Sequence, residues 1–388
     1  SVRNVSTQNR SGKIAYTLCP LMGRDLSFAG TVRRRVTENG VFFDNPYQKD
    51  FTGILYLRAK QASFLPALLF AKNAAMPDGI SAVFSYAVAP SEEWECEWVL
   101  SYGVTAQAAE KAAMLSLPEA KLPSLPPITL LSVRSDLLAD LYSQTLFTRV
   151  FARCGFYQCG GAFGCRDQLQ DCLNLLAFEP QFLQQQILRT AACQFPEGDA
   201  LHWWHGLLPG GKQKRRGVRT RCSDDFLWLP LATAVYVKQT GDWALLQKQI
   251  PFAAGDLLRD GEKDRYFTVE ASAEQASLWD HCLRALERAD TRGAHGLLLI
   301  GSGDWNDSFD EIGKGGESVW LTMFYLLCLK HSLPLCQKLG DKQREQAFQS
   351  RIRELTEAVE QNAWSGDRYV RAFYPDGNAI GQKGAGAC

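Results

Sequence analysis

The order of apolar and polar residues divides the chain into two parts near residue 105. Before that point, short apolar runs alternate with polar positions and are rich in Val, Phe, Tyr and Trp, which is typical of half-buried β-strands. Turn residues such as Asn39-Gly40 and Pro77-Asp78-Gly79 separate the runs as in hairpins. The runs are KIAYTLC, SFAGTVRRRV, GVFFD, FTGILYLRA, AVFSYAVA and EWECEWVLSYG. We therefore predict an antiparallel β-sandwich region over residues 1–104, and we expect it to be partial.

The second part begins with an Ala-rich stretch, TAQAAEKAAMLSL, which predicts a helix. Proline-rich sequence follows it, and proline both stops a helix and stiffens an extended segment. Residues 105–133 are therefore predicted to form a helical, Pro-rich linker. From 134 to 388 helical periods dominate and strands are scarce, which favours an all-α toroid whose connections enclose a cavity. The predicted helices cover 134–153, 167–178, 180–194, 225–239, 242–250, 275–291, 317–332 and 340–363.

Composition narrows the function classes. The chain has 388 residues, which at roughly 150 residues per domain suggests two domains. Its 42 basic and 42 acidic residues balance, so neither nucleic acid nor an anionic membrane is an expected partner. We see no apolar run close to the roughly 18 residues of a membrane-spanning helix, and no signal peptide. The 12 cysteines form no CxxC pair, which predicts a reducing, cytoplasmic compartment and no zinc site.

Five segments at or between predicted helix ends combine aromatic, acidic and basic residues. Sugars are recognised by aromatic faces, which cover the ring, and by carboxylates or Arg, which hold its hydroxyls. The segments are 155–171, 194–205, 216–230, 301–307 and 313–320. Any one of their Trp residues could equally belong to a core, but the repeated combination indicates sugar binding. The residues concerned are Trp203, Trp204, Trp228, Trp305 and Trp320, with Arg166, Asp167, Asp304, Asp307 and Glu317.

Asp224 and Asp225 precede an apolar helix. They could cap that helix, since an Asp at a helix start accepts hydrogen bonds from free N–H groups. Alternatively, two adjacent acids beside Phe226 and Trp228 could raise the pKa of one of them, as a general acid requires. The residues alone leave both interpretations open.

The stretch 210–221 is basic, and a solvated loop is its common interpretation. Arg219 and Arg221 lie within five residues of Asp224 and could hold an anion near it. His202 and His205 of HWWH could share a helical face, but a metal needs a third ligand that we cannot place, so no metal is predicted. The sequence contains no Walker A loop, dinucleotide fingerprint or GxSxG elbow.

At these segments the chain resembles glycoside hydrolase family 94, the inverting carbohydrate phosphorylases. The shared features are the Gly-rich approach to Arg166-Asp167 with QLQD after it, then QFPEGD, HWWH, CSDDFLWLP before a TGD helix end, HGLLLIGSGDWND and GESVW. CSDD, HWWH and QFPEGD are most similar to the phosphorylase-like region of cyclic β-1,2-glucan synthases and to 1,2-β-oligoglucan phosphorylases. The resemblance implies a β-sandwich, a helical linker, an (α/α)6 barrel and a C-terminal β domain.

The resemblance also implies a reaction. A β-glucoside is cleaved with inversion to α-glucose 1-phosphate, with inorganic phosphate as co-substrate and no other cofactor. One aspartic acid protonates the glycosidic oxygen, and by position it is Asp224, with Asp225 as the alternative. By the same resemblance, the residues that hold the attacked glucose or line the leaving-group side are Arg166, Asp167, Trp305, Asp307 and Glu317.

Two departures from the family pattern bear on activity. The family's phosphate ligands lie in a later segment of the type YPPGxRENGGQYTH, which this sequence does not contain, and eight predicted helices compare with twelve in a closed barrel. We therefore expect an incomplete barrel, truncated at its C-terminal end, with weak or no activity on its own. The phosphate-binding residues are unknown, with Arg219 and Arg221 as secondary candidates.

The leading hypothesis is thus a phosphorylase of β-1,2-glucan oligosaccharides. A homodimer is open, because relatives often dimerise, and the full-length protein could be attached to a membrane. One alternative is an inverting hydrolase, which needs a carboxylate about 6.5–9.5 Å from the acid, with Asp304, Asp307 and Glu317 as candidates. The other is a carbohydrate-binding or regulatory part of a cyclic β-1,2-glucan synthase, without turnover.

Overall fold

A computed structural model describes residues 1–18, 32–45, 54–66, 80–103, 105–115, 162–177, 179–205 and 215–383. The chain divides into two compact units, of which the first contains the described residues up to 115 and the second those from 162 onward. The predicted turn at Pro77, the Pro-rich part of the linker and the predicted helix 134–153 lie outside the described residues.

The first unit is antiparallel β-structure with one helix. Its sheets have the strand orders β1-β8, β2-β7-β6 and β3-β4-β5-β9. Phe43 and Leu57 of one sheet and Phe84 of another enter the same buried core, so these two sheets pack face to face. The predicted antiparallel sheets are therefore confirmed. The elements are β1 (Val2–Arg3), β2 (Arg10–Leu18), β3 (Arg33–Thr37), β4 (Gly40–Asp44), β5 (Ile54–Ala59), β6 (Ser63–Pro66), β7 (Ile80–Val88), β8 (Glu93–Trp94), β9 (Trp98–Gly103) and α1 (Ala106–Ala113).

The second unit contains six of the seven helices found among the described residues. Their apolar faces meet in one core, to which Leu183, Leu229, Leu283 and Leu335 contribute. The third of these helices, Trp228–Thr240, ends at Gly241, where φ of +73° favours glycine. The helices are α2 (Cys165–Leu173), α3 (Pro180–Ala191), α4 (Trp228–Thr240), α5 (Leu278–Ala289), α6 (Val319–Leu339) and α7 (Lys342–Asn362).

Strands are not scarce in this unit, and that prediction was wrong. Two antiparallel sheets have the orders β10-β11-β12-β14-β13 and β15-β16-β17-β18. The predicted helix 242–250 is a 3₁₀ turn, Trp243–Gln247, that leads into β13, because Pro251 does not fit a helix interior. The strands are β10 (Phe163–Gly164), β11 (Leu201–His205), β12 (Arg215–Thr220), β13 (Gln249–Ala254), β14 (Asp264–Ser277), β15 (Leu298–Leu299), β16 (Glu317–Ser318), β17 (Ala372–Phe373) and β18 (Ala379–Ile380).

Helix α6 is longer and more apolar than the sequence analysis allowed. By length and composition alone it could cross a membrane, but most of it is buried inside the protein. Core helices pass the same test, so α6 is weak evidence for a membrane span. The fold is a mixed β and α architecture.

Candidate active site

The guanidinium of Arg166 joins three segments that are far apart in the sequence. Arg166 lies in the first turn of α2 and is buried. Its Nη1 donates to Asp224 Oδ1 at 2.8 Å and to the Asp304 carbonyl at 3.0 Å, and its Nη2 donates to Asp307. Three residues predicted from the sequence, Arg166, Asp224 and Asp307, therefore meet at one place.

The Asp224 carboxylate is completely enclosed, with 0% of the residue exposed. It stands directly before the 3₁₀ turn Asp225–Leu227 that leads into α4, and its side chain caps no N–H group there. Its Oδ1 also accepts from Cys222 Sγ at 3.3 Å, and its Oδ2 accepts from Trp228 Nε1 at 3.1 Å. The capping interpretation therefore does not describe Asp224.

The electrostatic environment of Asp224 favours the protonated acid. Burial, and next the charge of Asp225, raise the pKa of Asp224 to about 6, although Arg166 and the hydrogen bonds from Trp228 and Cys222 oppose the rise. A carboxyl group that holds its proton until near-neutral pH has the property that a general acid requires.

Asp225 is paired with a histidine instead of with Arg166. Asp225 is 1% exposed, and its Oδ2 lies 2.7 Å from Nδ1 of His202 in β11. Burial lowers the pKa of His202, but the charge and hydrogen bond of Asp225 outweigh that effect, so the pKa of His202 is raised. Asp225, which is buried, and His202, whose side chain is 23% exposed, thus form an acid–base pair immediately beside Asp224.

HWWH is a β-strand, so the prediction that His202 and His205 share a helical face was wrong. Successive side chains of a strand point to opposite faces of the sheet, so two residues that are three positions apart lie on opposite faces. His205 contacts the hydroxyl of Tyr266 at 2.8 Å, whereas His202 faces Asp225.

Asp304 organises the loop that carries Trp305 and Asp307. It is fully buried, and both of its carboxylate oxygens accept from Arg371 Nη2, at 2.5 and 2.7 Å. Ser318 Oγ and the Asn306 N–H also donate to it. Arg371 follows α7 without any motif to mark it, and it was therefore not predicted from the sequence.

Trp305 and Asp307 are the accessible residues of this loop. Trp305 is 52% exposed, and its Nε1 donates to Gln170 Oε1 at 3.1 Å. The side chain of Asp307 is 75% exposed and is held by Arg166. A half-exposed indole beside an exposed carboxylate is chemically suited to a sugar ring and its hydroxyls.

Asp167 and Glu317 have different surroundings. Asp167 lies in the first turn of α2, packed so closely against Gly164 that a side chain at that position would collide with its carboxylate. Glu317 is buried and accepts from the N–H groups of His295 and Leu297, while its Oε2 lies 2.5 Å from His295 Nδ1. Glu317 therefore holds the 295–297 loop, and its proposed contact with sugar stays a prediction.

The two arginines suggested as secondary phosphate ligands, Arg219 and Arg221, are hydrogen-bonded to other groups of the protein. The five N–H groups of Arg219 donate to Asp199, Glu197 and the carbonyls of Gly255 and Asp256, and its guanidinium stacks on Phe195. Arg221 donates to three carbonyls of the loop 258–262. The geometry thus gives no support to phosphate binding by either residue.

Two adjoining cavities of about 420 and 300 Å³ lie next to these residues. The smaller one is lined by His202 and Asp307, so it opens beside the Arg166 cluster. The larger one extends away from that cluster toward Arg288 and Lys314. Both cavities are lined by Thr220, Cys222, Lys263, Ser302 and Asp310.

Metal binding is disfavoured by a neighbouring cation. Among the described residues, His202, Cys222 and Asp225 bring potential ligand atoms within 4.8 Å of one another. However, Arg166 Nη1 lies 3.7 Å from Cys222 Sγ, and His202 is hydrogen-bonded to Asp225. We therefore keep the prediction that no metal binds here.

The half-exposed indole, the carboxylates and the arginine of this site are of the kinds that bind carbohydrate. The chain belongs to the glycosyl hydrolase 94 superfamily, whose catalytic-domain profile matches residues 139–388. This finding confirms the family resemblance.

Relatives of the chain include a glucan synthase and several phosphorylases. The cyclic β-(1,2)-glucan synthase NdvB of Rhizobium meliloti (strain 1021) is 42% identical over 248 residues, which cover 63% of this chain and 8% of NdvB. The solabiose phosphorylase of Paenibacillus borealis is 31% identical, covering 56% of this chain and 25% of its own. The 3-O-β-D-glucopyranosyl-β-D-glucuronide phosphorylase of the same organism is 29% identical over a region that covers 56% of this chain and 26% of that phosphorylase. This chain therefore spans about a quarter of the phosphorylases and a smaller share of NdvB.

Among solved structures, the chain is similar to a GH78 family rhamnosidase of Bacillus sp. GL1, with a TM-score of 0.48 and 13% sequence identity. The superposition covers 97% of this chain and 33% of the rhamnosidase chain.

Proposed function

We propose that the protein is an inverting glycoside phosphorylase that cleaves β-glucosidic bonds, with Asp224 as its general acid. The observation that carries this proposal is the enclosed Asp224 carboxyl group, whose raised pKa keeps a proton available near neutral pH in a chain of family 94. Helices α2–α7 would then be part of the (α/α)6 barrel that the family resemblance implies.

In the proposed step, Asp224 gives its proton to the glycosidic oxygen while the bond from that oxygen to the anomeric carbon breaks. A phosphate oxygen forms the new bond to the anomeric carbon from the opposite face. The products are α-glucose 1-phosphate and a glucan shortened by one residue, which carries a new hydroxyl group. Asp224 is left as a carboxylate, and Arg166 at 2.8 Å stabilises its charge.

The accessible residues supply the proposed sugar contacts. Trp305 would cover a ring face, and Asp307 would accept from glucose hydroxyls, with its carboxylate positioned by Arg166. Asp167 and Glu317 are kept as proposed contacts by resemblance to the family. The identity with NdvB supports β-1,2-linked glucan as the substrate. A homodimer and a cytoplasmic location are also kept as proposals.

The test compares products in the presence and absence of phosphate. The protein in its full natural length is incubated with β-1,2-, β-1,3- and β-1,4-linked gluco-oligosaccharides. NMR then identifies the anomer of any glucose 1-phosphate that is formed. We expect α-glucose 1-phosphate only when phosphate is present, and most rapidly from the β-1,2 series.

A variant of the acid completes the test. D224N should lower phosphorolysis about a hundred- to ten-thousandfold, the usual contribution of general acid catalysis, while oligosaccharide binding persists. The control D376N changes an exposed acid in the β17–β18 turn and should match the parent. Full activity of D224N would refute the assignment, and an absence of turnover in the parent would favour a binding or regulatory role.

An inverting hydrolase is the second candidate, and one observation favours Asp307 as its base. Asp304 and Glu317 are buried and held by Arg371 and by backbone N–H groups, whereas the Asp307 carboxylate, which pairs with Arg166, is largely exposed. Release of free glucose at the same rate with and without phosphate would support this alternative.

A further inference from the structure

We propose that His202 and Asp225 act together as positioning residues. The net charge of this pair, which lies next to the Asp224 carboxyl group, controls how readily Asp224 keeps its proton. This inference rests on the proposed role of Asp224 as the acid. Neither residue is assigned a step in the reaction above, and the Asp225 carboxylate faces His202 instead of Arg166.

The backbone of β11 is arranged to bring His202 to Asp225. Leu201 pairs with Arg219 and Trp203 with Val218, so the register between β11 and β12 shifts at His202. An extra residue of this kind locally bends a strand and re-aims its side chain. The result is the 2.7 Å contact between His202 Nδ1 and Asp225 Oδ2.

The net charge of the His202–Asp225 pair changes when His202 gains or loses a proton. The second carboxylate oxygen of Asp225, Oδ1, is buried and has no hydrogen-bond partner among the described residues. His202 is the cation in contact with this carboxylate, and Arg166 acts on it through space. When His202 is neutral, the negative charge of Asp225 next to Asp224 is balanced only by the more distant Arg166. When His202 is protonated, the pair is neutral overall and that charge is balanced.

Among the described residues, the other charged or titratable groups that act most strongly on His202 and Asp224 come from three segments. Arg166 and Cys165 approach from α2, Cys222 precedes the aspartate pair, and Asp307 approaches from the 304–309 loop. Arg166 keeps its positive charge throughout the accessible pH range, and both thiols have pKa values raised well above their usual range by burial. His202 is therefore the group in contact with Asp225 that changes charge near neutral pH.

Two substitutions should move the acid in opposite directions. D225N removes the negative neighbour, so Asp224 should lose its proton more easily, and the alkaline limb of the phosphorolysis pH profile should move down by about one pH unit. H202Q keeps a hydrogen-bond donor but removes the positive charge, so the same limb should move up. A role limited to structure would not give opposite shifts.

The control is H205Q, the same substitution on the same strand at a residue that contacts Tyr266, and its profile should match the parent. Titration of phosphate is common to all variants and cancels in the comparison. Carboxyl ¹³C NMR titration of Asp224 gives the same shifts without any turnover.

The outcomes separate the two proposals. Opposite NMR shifts in a protein without phosphorolysis would support the pair and refute the proposed function. Phosphorolysis whose alkaline limb is unmoved in both D225N and H202Q would overturn the pair and leave the proposed function intact. If H202Q does not fold, the D225N profile and titration decide alone, and an unmoved limb overturns the pair.

Discussion

Replacing Arg371 by Met tests whether the loop with Trp305 and Asp307 depends on a buried ion pair. R371M retains a long side chain beside Phe309, whose ring lies 4.4 Å from the guanidinium, but it removes the cation. The carboxylate of Asp304, a residue with 0% exposure, then keeps only its hydrogen bonds from Ser318 and the Asn306 N–H.

The expected cost follows from leaving a buried charge without its partner. Breaking one side of such a pair destabilises by about 3–5 kcal/mol. Because two hydrogen bonds to Asp304 remain and Arg371 is itself partly exposed, we expect the low end, about 3 kcal/mol. Since each 1.4 kcal/mol is about tenfold in an equilibrium, the loop should open about a hundredfold more often.

Amide hydrogen exchange measures this opening directly. The amide protons of Asn306 and Leu321, which donate to Asp304 and Ser318, should exchange about a hundredfold faster in R371M. KM for the oligosaccharide should rise more than kcat falls, because Trp305 is then held less firmly.

Two further variants control for other causes. R368M, which removes an exposed pair with Asp367, should leave exchange at Asn306 unchanged. The double variant D304N/R371M should recover much of the protection, because no uncompensated charge is left buried. Exchange at Asn306 within threefold of the parent in R371M would refute this reasoning.

Three other outcomes are expected. R219M leaves buried Asp199 without its bidentate partner, so the second unit should lose about 3 kcal/mol of stability; an unchanged melting temperature would contradict this. The pKa of Asp224 is raised from 3.8 to about 6 in the folded protein. Protonated Asp224 therefore stabilises the folded state; this contribution is fully present below pH 3.8 and is lost as the pH rises through 6. Calorimetry should therefore show D224N gaining stability relative to the parent between pH 4 and pH 6, and a constant difference would contradict the raised pKa. W305A should raise KM about tenfold through the lost aromatic face and leave the melting temperature unchanged, because the indole is half exposed; an unchanged KM would remove Trp305 from the site.

Local patterns in the sequence were enough to predict most elements. Alternating apolar residues predicted the strands GVFFD and ILYLRA, and helical spacing predicted α3, α5 and α7. The same reasoning failed over 242–277, where one strand is polar at most positions and another contains Pro251. Pairing with neighbouring strands stabilises such segments, and that pairing has no signature within the segment itself.

The motifs also predicted which residues cluster, but not what each one does. Arg166 meets Asp224, Asp304 and Asp307 across 58, 138 and 141 residues of sequence, and only the tertiary structure shows that these contacts exist. Arg219 was a secondary candidate for holding an anion, and the fold encloses it with Asp199 instead.

The sequence alone therefore determined the antiparallel strands of the first unit, most helices of the second, the family and the pair of aspartates. Tertiary structure decided that Asp224 faces Arg166 while Asp225 faces His202, and hence how two adjacent carboxyl groups differ. The physical reason is that periodicity and turn chemistry act between near neighbours in the chain. Burial and charge interactions depend instead on distances through space, which the packed fold sets.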